Sequence, residues 1–176
     1  LWKILQLNEL KINKVREKNK LHDFINYVNN NYPKDLTVLE IGAGYNSTSL
    51  FYKNFKKIYS IENNKKFINL YHNNYIHIEL DKDTGWYAKD DFRKKIPNDY
   101  DIIVLDGPLG GYNKPFDSPK PFRFGFCEIS WGAIRKDVPI IVDDIDRDWK
   151  QRKVVEFLEE DGYNCKSKEQ FAICNK

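Results

Sequence analysis

Several apolar runs of this sequence carry an acid at or just beyond their carboxyl end. Glu40 lies inside Thr37-Val-Leu-Glu-Ile41, and Glu62 follows Lys57-Ile-Tyr-Ser-Ile61. Asp81 and Asp83 follow Tyr75-Ile-His-Ile-Glu-Leu80, Asp106 follows Tyr100-Asp-Ile-Ile-Val-Leu105, and Asp143-Asp144 follows Val138-Pro-Ile-Ile-Val142. Carboxylates gathered along one edge can accept hydrogen bonds from hydroxyls, take up a proton, or hold a hard divalent cation such as Mg²⁺ or Mn²⁺. Solvated loops would intersperse Lys at these positions. The local alternative is that Asp143-Asp144 caps a following helix and Asp106 starts a turn.

A glycine turn, Gly42-Ala43-Gly44, follows the first run. A dinucleotide site needs a third glycine for close helix–strand packing, but Ser47 stands there, and the phosphate-cradling Gly-x-x-x-x-Gly-Lys pattern is absent. A ligand without phosphates, carrying a ribose and an amino-acid end, fits better. The turn lets the backbone approach it, and Glu62, 20 residues beyond Gly42, can accept from both ribose hydroxyls. That ligand is S-adenosylmethionine, with Gly42, Ala43, Gly44, Ser47, Glu62 and Asn63 as its candidate contacts. A tight strand-to-helix connection is the alternative for the turn alone.

The elements that position these residues alternate. Strands are expected at Thr37–Ile41, Lys57–Ile61, Tyr75–Leu80, Tyr100–Leu105 and Val138–Val142. Helices are expected at Ser47–Tyr52, Lys65–Tyr71, Phe122–Ile134 and Val154–Glu160, and a closing hairpin pairs Asn164–Lys168 with Gln170–Cys174. This reads as an α/β, Rossmann-like, doubly wound sheet, which binds ligands beyond the carboxyl ends of its strands. Residues 1–32 read as two amphipathic helices, a lid or packing segment ahead of a domain over 33–176. At 176 residues the chain can build a core without structural metal or disulfides.

Val38-Leu-Glu-Ile-Gly-Ala-Gly44 resembles the first motif of class I S-adenosylmethionine-dependent methyltransferases, and the likeness runs from about residue 33 onward. It implies a seven-stranded mixed sheet whose last hairpin strand is antiparallel. It also implies that Glu40 lies near the methionine end, that Glu62 binds the ribose, and that Asp81 or Asp83 faces the adenine; Trp86 and Tyr87 would offer a stacking surface. Asp106-Gly-Pro-Leu-Gly-Gly-Tyr112 and Val142-Asp-Asp-Ile-Asp-Arg147 resemble the glucuronoxylan 4-O-methyltransferases at Asp106, Pro108, Gly110, Asp144 and Arg147. Asp143 and Asp146 depart from that pattern. Asp106 with Asp143-Asp144 also resembles the divalent-metal site of metal-dependent small-molecule and sugar O-methyltransferases.

The expectation is therefore methyl transfer to a hydroxyl of a sugar or glycan. A small phenolic metabolite as acceptor, or cofactor binding without catalysis, are the alternatives. Asp106, Asp143 and Asp144 would hold the metal, Asp106, Asp144 and Asp146 are the catalytic candidates, and Asp106 is also a candidate cofactor contact. A hydroxyl is a poor nucleophile until a base takes its proton or a metal lowers its pKa. Tyr112, Phe116, Phe122, Phe124 and Trp131 flank a Pro-rich loop, Asn113–Pro121, and either side an acceptor groove or pack the core.

Other features exclude more than they propose. A net charge of +3 from 29 basic and 26 acidic residues supplies no concentrated basic face for nucleic acid. No apolar run is long enough for a membrane span, and the first 20 residues lack a secretion signal, so a cytoplasmic protein is expected. The three cysteines, Cys127, Cys165 and Cys174, imply neither a disulfide scaffold nor a zinc site. The start at Leu1 and the lack of Met point to a domain cut from a longer polypeptide, with other glycan-modifying domains as neighbours. Asn46-Ser47-Thr48 matches a glycosylation acceptor by coincidence, and His22, His72 and His77 read as surface or packing residues.

Overall fold

A computed structural model describes residues 23–108, 122–146 and 149–176. The chain divides into two compact units, Leu1–Tyr32 and Pro33–Lys176. In the first, helix α1 covers 23–31, with Asn31 bonded to the Tyr27 carbonyl at 2.9 Å; the more N-terminal of the two expected helices lies outside the described residues. Among those residues no helix is long and apolar enough to cross a membrane.

The second unit is built on one seven-stranded sheet. Its strands are β1 (Thr37–Ile41), β2 (Lys57–Glu62), β3 (Tyr75–His77), β4 (Ile102–Leu105), β5 (Ile140–Val142), β6 (Asn164–Ser167) and β7 (Ala172–Asn175), in the order β3-β2-β1-β4-β5-β7-β6. β1 to β5 are parallel, and β7 runs antiparallel to both β5 and β6. β4 and β5 are buried at every position, as a parallel sheet covered on both faces requires. Leu39, Ile41, Ile61, Ile103, Leu105, Ile140 and Val142 face one core with Trp86, Phe126, Val154 and Leu158. On the opposite face, Glu40 and Ser60 lie side by side in register beneath helix α2 (Ser47–Asn54).

β3 and β5 are shorter than the expected Tyr75–Leu80 and Val138–Val142, and three elements differ in kind. The helix expected at Lys65–Tyr71 is a single 3-10 turn, Lys65–Phe67, capped by the Asn64 side chain and followed by Asn69 at φ +58°. The one expected at Phe122–Ile134 is a 3-10 turn, Phe122–Phe124, running into a π-helical turn, Phe126–Ser130. Between them Gly125 lies so close to the Trp86 ring that a Cβ there would meet Trp86 Cγ at 2.4 Å. Third, helix α3 (Lys89–Lys95) was not expected, because six of its seven residues are charged and only Phe92 is buried. Helix α4 (Trp149–Glu160) closes the order. The cysteine expectation is corrected: Cys165 and Cys174, directly opposed on β6 and β7, form a disulfide with Cα atoms 4.0 Å apart.

Candidate functional site

β1 and β4 are neighbours in the sheet but their helical connections leave on opposite sides, so the sheet reverses its winding between them. Gly42 and Gly107, just past the two strands, touch there. A Cβ on Gly42, whose φ is +97°, would sit 2.3 Å from Gly107 Cα. The Gly107 amide is held on the Ile41 carbonyl at 2.7 Å and that of Gly42 on the Ile61 carbonyl at 2.9 Å. The turn is thus locked by backbone bonds, and only glycine at 42 permits the approach.

Glu62 ends β2 beside this turn, 3% exposed. Its carboxylate accepts the Ala43 amide at 3.0 Å and the Asn64 amide at 2.6 Å. Burial raises its pKa while these backbone donors lower it. Carboxylates offer about four acceptor positions, so sites remain for a ribose diol. Asn63 is half-buried and its carbonyl meets the His77 ring at 3.1 Å.

Glu40, 0% exposed, is turned away from the sheet edge. Ser47 donates to its Oε1 at 2.8 Å, and Thr48 and Ser60 donate to its Oε2 at 2.8 and 2.7 Å. Burial pushes its pKa up to about 7 against the opposing pull of those hydroxyls. Ser47, the residue in place of a third glycine, therefore bonds to the strand below it.

The adenine-side expectations fare unevenly. Asp81 Oδ1 accepts the Asp83 and Thr84 amides at 3.0 and 2.9 Å and the Thr84 hydroxyl at 3.0 Å, a turn-stabilising pattern, while Asp83 is exposed. Trp86 and Tyr87 were expected to present a stacking face. Both are 0% exposed core residues instead, with Trp86 Nε1 bonded to Ser130 Oγ at 2.8 Å.

The acids beyond β4 and β5 do come together. Asp106, Asp143 and Asp144 each place a carboxylate oxygen within 4.8 Å of the others. Asp144 reaches this position with φ at +59°, a left-handed conformation uncommon for residues other than glycine. Burial and mutual repulsion push both Asp106 and Asp143 up, and Arg123 pulls both down. Asp146 is exposed; Gly110, Arg147 and the loop 113–121 lie outside the described residues.

Arg123 is the residue sequence reading missed. It is 4% exposed, and one guanidinium nitrogen donates to the Asp106 carbonyl at 2.9 Å and the Asp144 carboxylate at 3.0 Å. The same nitrogen lies 3.7 Å from Asp106 Oδ1, and the other terminal nitrogen donates to the Asp143 carbonyl. Arg123 sets one positive charge among these three carboxylates, and three hard oxygen donors suit Mg²⁺ or Mn²⁺. The residues fit such an ion.

No known protein-family profile matches the chain, and no curated protein sequence does. Solved structures match its fold. The precorrin-6y C5,15-methyltransferase of Geobacter metallireducens superposes with a TM-score of 0.55 at 16% identity, over 89% of this chain and 88% of that one. The ribosomal protein L11 methylase of Lactobacillus delbrueckii gives 0.53 at 12% identity, over 89% and 77%. The MycE methyltransferase of the mycinamycin biosynthetic pathway, solved with Mg, SAH and mycinamycin VI, gives 0.50 at 16% identity, over 97% of this chain and 48% of that one. The seven-stranded mixed sheet is thus the Rossmann-like fold of class I S-adenosylmethionine-dependent methyltransferases, a fold whose members differ in acceptor.

Proposed function

We propose that the chain is an S-adenosylmethionine-dependent O-methyltransferase acting on a hydroxyl of a sugar or glycan, with a divalent cation held by Asp106, Asp143 and Asp144. The observation that carries this reading is the placement of two unlike groups at the carboxyl ends of adjacent strands. A glycine turn with a buried acid, Glu62, lies beyond β1 and β2, and a three-carboxylate group lies beyond β4 and β5.

S-adenosylmethionine supplies a methyl group on a sulfonium, open to in-line attack by an oxygen. Glu62 accepts from the ribose, and the flush Gly42–Gly107 contact leaves the backbone bare for the ligand to approach. Held by these acids, a divalent ion would acidify an acceptor hydroxyl and orient a vicinal diol. Asp106 and Asp144 would then be the nearest groups to take the proton, and Arg123 keeps their carboxylates from spreading apart. The acceptor assignment rests on the likeness of Asp106, Pro108 and Asp144 to glycan O-methyltransferases. MycE, whose fold is similar, was solved in complex with Mg, SAH and mycinamycin VI, which supports the pairing of cofactor and cation.

The test is calorimetric titration of wild type and Glu62→Ala with S-adenosylhomocysteine, then an acceptor screen read by mass spectrometry. Micromolar binding lost in Glu62→Ala, with methyl groups appearing on sugars and not in excess chelator, is the expected result. Methylation of RNA or protein with sugars inert would overturn the acceptor.

A further inference from the structure

Glu40 matches the acid of the cofactor motif, yet its carboxylate is sealed from solvent and engaged by hydroxyls alone. Each hydroxyl has a single proton, so the direction of the bonds can be followed. Thr48 spends its proton on Glu40 and accepts the Gly44 amide, 2.9 Å away. Ser60 spends its proton on Glu40 and has its lone pair 3.1 Å from His72 Nε2.

His72 has only one way to complete the chain. Its Nδ1 accepts the Asn74 amide at 3.1 Å, so the neutral ring carries its proton on Nε2 and donates to Ser60. The ring is stacked on Tyr75 with centroids 4.2 Å apart and lies 5.8 Å from Tyr52, and burial lowers its pKa to about 4, which keeps it neutral. Two lines of donors therefore converge on one acceptor. One runs from Gly44 through Thr48, the other from His72 through Ser60.

We infer that Glu40 is a positioning residue that never touches the cofactor: by orienting Thr48 it fixes the Gly44 amide, and so the shape of the cofactor turn, with Ser60 and His72 as the outer support of the same network. This accounts for Ser47 in place of a third glycine, since the turn is tied down by hydroxyls on Glu40 rather than by glycine packing. Gly44 then serves the ligand by its missing side chain and not by its N–H. The inference rests on the cofactor reading above for its binding readout alone.

Two readouts test it. The first is the Gly44 amide proton, followed by shift and hydrogen exchange in ¹⁵N-labelled protein without ligand. The second is the affinity for S-adenosylhomocysteine, taken well below the melting temperature of each variant. Thr48→Val is isosteric but lacks the hydroxyl, whereas Thr48→Ser keeps it. The expected result is an upfield shift and faster exchange of Gly44 in Thr48→Val and Glu40→Gln, with affinity at least tenfold weaker, and near-wild-type values in Thr48→Ser. Ser60→Ala falls between. An unchanged Gly44 amide in Thr48→Val overturns the network, as does unchanged affinity despite a freed amide. If wild type itself binds no S-adenosylhomocysteine, the cofactor reading fails, and the Gly44 amide still decides whether the network holds the turn.

Discussion

Replacing Arg123 by Met keeps most of the side chain's volume and removes a guanidinium that ties β4 to β5 at their carboxyl ends. In the native arrangement it bonds the Asp106 carbonyl at 2.9 Å, the Asp143 carbonyl, and the Asp144 carboxylate at 3.0 Å, while itself 4% exposed. Removing one partner of a buried ion pair costs about 3–5 kcal/mol, because the other charges stay behind uncompensated. Asp144 is 33% exposed and Asp106 22%, so water screens part of that loss, and the lower half, about 3–4 kcal/mol, is expected. With a urea slope of roughly 2 kcal/mol/M for a domain of this size, the midpoint should fall by about 1.5–2 M. Arg123→Lys should recover less than half, since a point charge on a flexible stem cannot bridge two carbonyls and a carboxylate at once. Millimolar Mg²⁺ should raise the midpoint of Arg123→Met more than that of wild type, because the acids have lost the Arg123 charge. A midpoint within about 0.5 M of wild type, roughly 1 kcal/mol, would refute the claim that Arg123 holds the cluster together.

Three more outcomes follow from the backbone and the hairpin. Gly42→Ala should destabilise by more than about 3 kcal/mol in urea unfolding, from backbone overlap with Gly107 and the cost of φ +97°. Gly44→Ala meets nothing nearer than Ser47 Oγ at 3.7 Å and should stay within about 1 kcal/mol. Reducing Cys165–Cys174, nine residues apart, releases a short loop worth about 2.6 kcal/mol on the chain-entropy estimate. For 176 residues that is a melting-temperature drop of about 7 °C under reductant, read by calorimetry and absent in a Cys165→Ser/Cys174→Ser variant.

What was legible in the sequence divides along physical lines. The parallel strands are short, apolar runs with an acid at the end, and β1 was read at its observed bounds because burial on both faces leaves no other pattern for Thr37–Ile41. Acids at strand ends could be gathered on one edge from topology alone, and Asp106, Asp143 and Asp144 do meet. Side-chain direction was not legible. Glu40 points beneath α2 and Trp86 into the core because of partners 7 to 44 residues away, Ser47 and Ser130 among them. The helix over Phe122–Ile134 failed for a similar reason: Gly125 gives way to the Trp86 ring, and the turns around it tighten and then widen.

The disulfide and Arg123 show two different kinds of omission. The closing hairpin was expected with its turn at Glu169, and pairing about that residue sets Cys165 opposite Ile173, whereas the observed register, one residue on, sets Lys166 opposite Ile173 and Cys165 opposite Cys174. The bridge depends on that one-residue step in register, which the strand bounds did not fix. Arg123 had no signal in the sequence. It stands 17 residues beyond Asp106 and 20 before Asp143, in a run of Pro and Phe, and 29 basic residues offer no reason to single it out. Three converging carboxylates do require a positive charge nearby, so the need was deducible even though its supplier was not. Arg123 is the described cation that answers this need, and the choice between Mg²⁺ and protonation of the acids decides whether they can serve as bases at neutral pH.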